Sequence, residues 1–161
     1  MTYVQKLAEA LELESRVAAS LMGARQSTVE FVLPCPPSVN AYWRAPNRGP
    51  LAGRFLLSRE GRGYRGLVAS ALLTQGIRLN SIARPVRLGI ELRHRRRVDL
   101  DNYLKPLLDA LKARPKEGLS GVIADDRFVD EIRIWRGACS KGAPEEVRVR
   151  VELIGPEESA T

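Results

Sequence analysis

Apolar and polar residues alternate along four stretches of this chain and recur at helical spacing along three others. Thr28 to Leu33 sets Val29, Phe31 and Leu33 on one side, the period-two pattern of a strand. Val86 to His94 points Val86, Leu88, Ile90 and Leu92 inward against Arg87, Glu91 and Arg93. Val129 to Trp135 predicts a third strand with Ile132 and Ile134 inward. Glu146 to Ile154 predicts a fourth, alternating Val147, Val149, Val151 and Leu153 with Arg148, Arg150 and Glu152. Between them, Ser58 caps a helix reaching Gln75, with Tyr64, Leu67, Val68, Ala71 and Leu72 toward the core. Leu104, Leu107, Leu108 and Leu111 stripe a second helix from Tyr103 to Ala113, with Lys105, Asp109 and Lys112 off the stripe and Lys105–Asp109 an i,i+4 pair. Pro106 suits that helix only in its first turn, which puts the start close to Asp101-Asn102. Residues 3–22 form an amphipathic pattern of Val4, Leu7, Ala8, Leu11, Ala18, Leu21 and Met22, stopped by Gly23.

The order β-α-β-α-β-β predicts an α+β (mixed α/β) single domain. Its sheet is mixed and largely antiparallel, of about four strands, with two core helices on one face and an extra N-terminal helix. Residues 1–26 are the helical extension, 27–154 the folded domain, and 155–161 a disordered tail. Pro34 to Arg44 starts as a rigid proline-bound loop. It ends in Asn40, Tyr42, Trp43 and Arg44, which either stack on bases or cover the core with a buried Trp43. Asn47 to Leu57 reads as a glycine-rich, basic loop.

Charge changes the picture. The 161 residues carry a net +7. Residues 1–26 are neutral and the last seven hold Glu157 and Glu158, so the folded segment carries all of the excess and two charges more. That balance favours a polyanionic partner, nucleic acid before a membrane surface. The longest apolar run, Leu67 to Leu73 with Ser70 inside it, is far too short to span a bilayer. Glu9, Glu12 and Glu14 interrupt any signal-peptide core, and cytoplasmic residence with no membrane association is expected. Two cysteines, Cys35 and Cys139, and one histidine, His94, exclude a structural zinc site; the cysteines are expected to be reduced thiols and His94 a hydrogen-bonded strand-end residue.

The chemistry gathers where the second strand runs into the second helix. Arg95, Arg96 and Arg97 lead into Asp99, Asp101 and Asn102, with Lys105 four residues on; Asp125 and Asp126 follow downstream. Carboxylates beside arginines suit a divalent cation held next to phosphate, because Mg²⁺ takes one or two carboxylates and leaves positions for water and phosphate oxygen. In extended chain Asp99 and Asp101 share a face; in a helix they would be about 200° apart. The competing reading makes Asp101 or Asn102 a helix cap and Asp99 a surface ion-pair partner. Arg59, Arg62 and Arg65 add a basic edge to the first helix.

The residues at this point resemble the RusA family of Holliday-junction resolvases, found in bacteria, their phages and prophages. Matching pieces are Pro36-Pro37-Ser38-Val39-Asn40 with Tyr42-Trp43-Arg44, then Leu57-Ser58, Gly61 and Tyr64-Arg65. Arg95 through Asn102 follows, with Lys105 and Leu108-Asp109-Ala110-Leu111, then Gly121-Val122-Ile123, Asp125-Asp126 and Val129. The resemblance spans about residues 28–154. It implies a homodimeric endodeoxyribonuclease using Mg²⁺ (Mn²⁺ as a substitute) that cuts four-way DNA junctions by paired symmetric nicks in recombination and repair. It implies catalytic and metal-binding roles for Asp99, Asp101 and, by spacing, Asp126, with Asp125 the alternative ligand, and a catalytic role for Lys105. Expected DNA contacts are Arg95, Arg96, Arg97, Arg59, Arg62, Arg65, Asn40 and Arg44. The N-terminal helix lies outside the resemblance, and Arg114 to Ser120 is longer than a minimal family member needs. The rivals are a junction-binding protein without catalysis and a broader flap or fork nuclease.

Overall fold

In the computed structural model, which describes residues 28–77, 81–114, 116 and 121–155, the four alternating stretches form one sheet. Its strands are β1 (Thr28–Pro34), β4 (Val86–Arg93), β5 (Val129–Arg136) and β6 (Glu146–Leu153), in the order β1-β6-β4-β5. The pairs β1–β6 and β4–β6 are antiparallel, and β4–β5 is parallel. A two-residue ladder joins β2 (Trp43–Arg44) to β3 (Leu56–Leu57). Three helices accompany the strands: α1 (Val39–Tyr42), α2 (Arg59–Thr74) and α3 (Asp101–Leu111). The sheet and both long helices are as the periodicity predicts; α1 and the β2–β3 ladder lie in stretches that read as loop. The segment 1–26 and the tail after Gly155 fall outside the described residues, as does most of 114–120.

The core lies between one sheet face and the helices. Phe31, Leu33, Leu88, Ile90, Val147 and Val149 meet Tyr64, Val68 and Leu72 of α2 and Leu107 and Leu111 of α3. Ser58 caps α2 as expected: its Oγ accepts from the Gly61 amide at 2.9 Å and donates to the Ala41 carbonyl at 2.6 Å, stitching α2 to α1. Gly61 is required by close approach, since a Cβ there would sit 2.8 Å from the Tyr42 carbonyl oxygen.

Four expectations change. The buried ring of the proline loop is Tyr42, fully enclosed, whereas Trp43 is half-buried. Leu67 of α2 is 59% exposed, because the core takes the turn positions on either side of it. Ile132 is 37% exposed because β5 is an edge strand with a neighbour on one side only. Pro106 lies inside α3, beyond its first turn, and is buried; the helix nonetheless starts at Asp101. A proline there leaves the carbonyl four residues earlier, that of Asn102, without an intrahelical donor.

The other sheet face carries no helix among the described elements. Around the ring of Trp135, which lies over Gly89, the charged side chains of this face are paired: Arg87 with Glu131 and Glu152, Arg93 with Glu91 and Glu146, Arg133 with Glu131, Arg148 with Glu146, and Arg150 with Glu30 and Glu152. The face is therefore neutral, and the basic excess of the domain lies elsewhere. Both cysteines are free, and burial pushes the Cys35 thiol up to about 12, with Glu145 and Cys139 adding to it. No described helix is long and apolar enough to cross a membrane.

Candidate active site and basic surface

α3 is the axis of the site. Its N-cap, Leu100, makes no side-chain cap hydrogen bond, and Asp101 sits exposed in the first turn. Neither Asp101 nor Asn102 is used as a cap. Asp99 is exposed in the connection from β4, and no described side chain bonds to it or to Asp101. The extended backbone that would set the two on one face is not there: β4 ends at Arg93, and Leu100 between them is helical, with φ −64° and ψ −36°. Both carboxylates nonetheless lack a described protein partner and offer the oxygen donors that Mg²⁺ takes.

Asp126 is not with them. It opens the 3-10 turn Asp126–Phe128, and its Oδ1 accepts from Lys112 Nζ at 3.3 Å, at the far end of α3. Asp101 and Lys112 stand eleven residues apart, roughly 16 Å along the helix at 1.5 Å per residue. Among the described residues no three His, Cys, Asp or Glu side chains are placed to hold one metal ion. Asp99 and Asp101 thus offer free oxygen donors that a divalent cation could take, and the three-carboxylate set does not close among the described residues. Asp125 is used locally: its side chain accepts from the Arg127 amide at 3.1 Å and caps the turn. Burial pushes the Asp126 carboxyl up, but hydrogen bonds with Lys112 and Asp125 and the Lys112 charge outweigh it and leave the group below its usual range.

The backbone explains this placement. Residues 121–124 thread between Ile82 and the end of α3: Val122 N donates to Leu111 O at 2.9 Å, Ala113 N to Ile123 O at 2.8 Å and Ala124 N to Ile82 O at 2.9 Å. Gly121 has no room for a side chain, since a Cβ would meet the backbone of Leu111, Lys112 and Ala113.

Lys105 lies between the acidic groups. Its Nζ donates to Asp109 Oδ1 at 3.0 Å. That hydrogen bond, partly opposed by desolvation and helped by the charges of Asp109 and Asp126, holds the ammonium above the ordinary lysine range. Lys105 is therefore a fixed cation rather than a proton acceptor. The sequence put Asp109 off the apolar stripe, yet it is 8% exposed, the one buried charged side chain among the described residues. The Lys105–Asp109 pair is the one that the i,i+4 spacing predicts, whereas the pairing of Lys112 with Asp126 was not foreseen.

Of the expected DNA contacts, Arg95, Arg96, Arg97, Arg59, Asn40 and Arg44 are exposed. Arg95 also donates to the Ala143 carbonyl at 3.2 Å. Arg62 is exposed but donates to the Leu57 carbonyl at 2.6 Å. Arg65 is half-buried, donating to the Tyr42 hydroxyl at 2.9 Å and lying over that ring, so its position is structural. Arg136 was missed: it donates to the Val98 carbonyl at 2.9 Å and lines a shallow hollow with Arg95, Arg96 and Arg97. His94 sits at the strand end as expected, its Nδ1 accepting from the Arg96 amide at 3.1 Å. A cavity of about 580 Å³ lined by Pro36, Pro37, Glu60, His94 and Tyr103 joins the starts of α2 and α3 to the end of β4. The exposed arginines of α2 and of the 95–97 run therefore share one end of the molecule with Asp99 and Asp101.

The family described as Endodeoxyribonuclease RusA matches residues 34–154. The crossover junction endodeoxyribonuclease of Enterobacteria phage HK97 is 36% identical over 109 residues, 67% of this chain and 82% of that protein. The crossover junction endodeoxyribonuclease RusA of Escherichia coli (strain K12) is 35% identical over 125 residues, 76% of this chain and 94% of that protein. That of Enterobacteria phage 82 is 36% identical over 126 residues, with the same shares. The match takes in β4, β5 and β6, both long helices and every carboxylate of the candidate site, and the chain belongs to the RusA family of endodeoxyribonucleases.

Proposed function

We propose that this protein is a crossover-junction (Holliday-junction) endodeoxyribonuclease that acts as a homodimer with Mg²⁺, or Mn²⁺ in its place, in the cytoplasm. The observation that carries the reading is a pair of exposed, unpartnered carboxylates, Asp99 and Asp101, set directly after an exposed arginine run. Asp99 and Asp101 hold the cation, and Asp126 is the third carboxylate once it exchanges Lys112 for the cation; Asp125 caps its own turn. A cation bound there polarises the phosphodiester and eases the deprotonation of water. The chain's own residues supply the rest. Arg95, Arg96 and Arg97 bind phosphates flanking the cut, with Arg59, Arg62, Asn40 and Arg44 extending the track. Lys105, permanently charged, offsets the negative charge that develops on the phosphate.

Two matched cuts call for two sites related by a two-fold axis. Because Asp126 lies at the opposite end of α3 from Asp101, the second subunit is its natural route to the pair. Mixing the inactive variants Asp99→Asn and Asp126→Asn tests this: a heterodimer with Asp126 acting across the interface regains one competent site and nicks a single strand. No recovery would assign all ligands to one subunit.

The function is tested by incubating the protein with a labelled mobile four-way junction and matched linear duplex, with Mg²⁺, Mn²⁺ or chelator. Metal-dependent paired nicks giving ligatable products on the junction alone are expected. Binding without cutting would make the protein a junction binder, and equal cutting of flaps or duplex a broader nuclease. Junction affinity should also fall steeply with salt. Replacing Arg95, Arg96 and Arg97 by Gln should flatten the log–log slope by roughly two to three, about 0.9 per lost phosphate contact. An unchanged slope would remove the run from the DNA surface.

A further inference from the structure

We infer that Asp109 is a positioning residue that keeps Lys105 off Asp101 and so leaves the Asp101 carboxylate available to a divalent cation. The inference rests on the reading of Asp101 as a ligand. On α3, Asp101, Lys105 and Lys112 fall within about 40° of one another and Asp109 within about 80° of Asp101, at 100° per residue. Two acids and two lysines thus share one edge, and their pairing is a choice. Left to helix geometry, Lys105 would choose Asp101. An acid four residues before a lysine is the favoured orientation of an i,i+4 pair, and helical side chains lean toward the N-terminus, which is toward Asp101.

The structure makes the other choice. Lys105 Nζ donates to Asp109 Oδ1 at 3.0 Å, one turn toward the C-terminus. The reason is burial: the Asp109 side chain is 10% exposed and that of Lys105 is 50% exposed. A buried carboxylate loses far more by going unpaired than a solvated one does. Asp109 therefore outbids Asp101 for the ammonium, while Lys112 is drawn to Asp126. The edge reads as a ladder in which each lysine is taken by an acid and the first acid, Asp101, is left over. A cation-binding carboxylate at that spot needs such an arrangement, because a lysine on it would occupy the same oxygens.

The test uses the full-length protein and Mn²⁺ binding measured by calorimetry, without DNA. Asp109→Asn and the apolar Asp109→Leu should each weaken Mn²⁺ binding roughly two- to fivefold, the range an exposed i,i+4 pair can impose. Adding Lys105→Met to either should restore the affinity, because there is then no lysine to fall on Asp101. Unchanged affinity in the single variants, or equal weakening with and without Lys105, would overturn the inference. A metal-free crystal structure of Asp109→Asn gives a readout independent of nuclease function. Lys105 Nζ within hydrogen-bond reach of Asp101 supports the diversion, and Lys105 left pointing at residue 109 refutes it. If the wild type bound no Mn²⁺ while the lysine still moved, the metal assignment would fall and the positioning role of Asp109 would stand.

Discussion

Asp99→Asn should bind a four-way junction within about twofold of the wild-type affinity and cut it slower by roughly a thousandfold or more. The substitution is isosteric. Asp99 is exposed and holds no protein partner, so folding should change by less than about 0.5 kcal/mol. What is removed is one negative charge that, in the proposed site, meets only the cation. Binding to a polyanion has no use for that charge and should tighten slightly, if it changes at all. Single-turnover cleavage and a gel or fluorescence titration in chelator separate the two quantities. Parallel loss of binding and cutting would mean that Asp99 organises the arginine run rather than a cation. Asp125→Asn is the matched control, because its side chain is already engaged by the Arg127 amide. Asn caps about as well as Asp, so the turn should change by no more than roughly 0.5 kcal/mol, with cutting largely kept.

Gly121→Ala should cost about 3 kcal/mol of stability, the upper part of the range for overpacking, and lower Tm by roughly 10 °C. A methyl group there meets backbone atoms of Leu111, Lys112 and Ala113, which have no rotamer to escape into. The segment 121–124 must shift, and with it the hydrogen bonds from Val122 to Leu111 and from Ala113 to Ile123. Asp126 follows within a few residues, so the Lys112–Asp126 pair should break as well. Gly63→Ala on α2 provides the contrast. Nothing lies within 4 Å of a Cβ there, and the change should stabilise the helix by about 0.5–1 kcal/mol. Thermal unfolding of the two variants side by side checks both signs.

Much of the fold was written in periodicity. Alternation in Val86–Arg93 and Glu146–Leu153 reproduces the buried and half-buried positions of β4 and β6 closely, because both are interior strands with one face on the core. It overreached where neighbours decide: Ile132 alternates correctly but sits on an edge, and Leu67 keeps helical phase but has no described element over it. Trp43 and Tyr42 adjoin in sequence, and only the loop path of α1 determines which ring enters the core. The helix start at Asp101 was legible because the leucine stripe begins just after it, but the connection of residues 94–100 between β4 and α3 was not. The position of Asp126 was not, because spacing along the chain does not say which end of α3 the returning segment meets. For Asp109 the i,i+4 spacing named its partner, Lys105, but not the depth at which its carboxylate sits.

The ion-pair ladder on the open sheet face has a kinetic consequence. Five arginines and five glutamates cancel there, so that side gathers no atmosphere of anions to shed and offers a passing nucleic acid no reward. Exposed arginines of α2 and of the 95–97 run gather instead at the end where α2 and α3 begin. A domain built this way is electrically lopsided: it turns in the field of a polyanion before contact, and productive collisions outnumber those expected of a uniformly basic sphere.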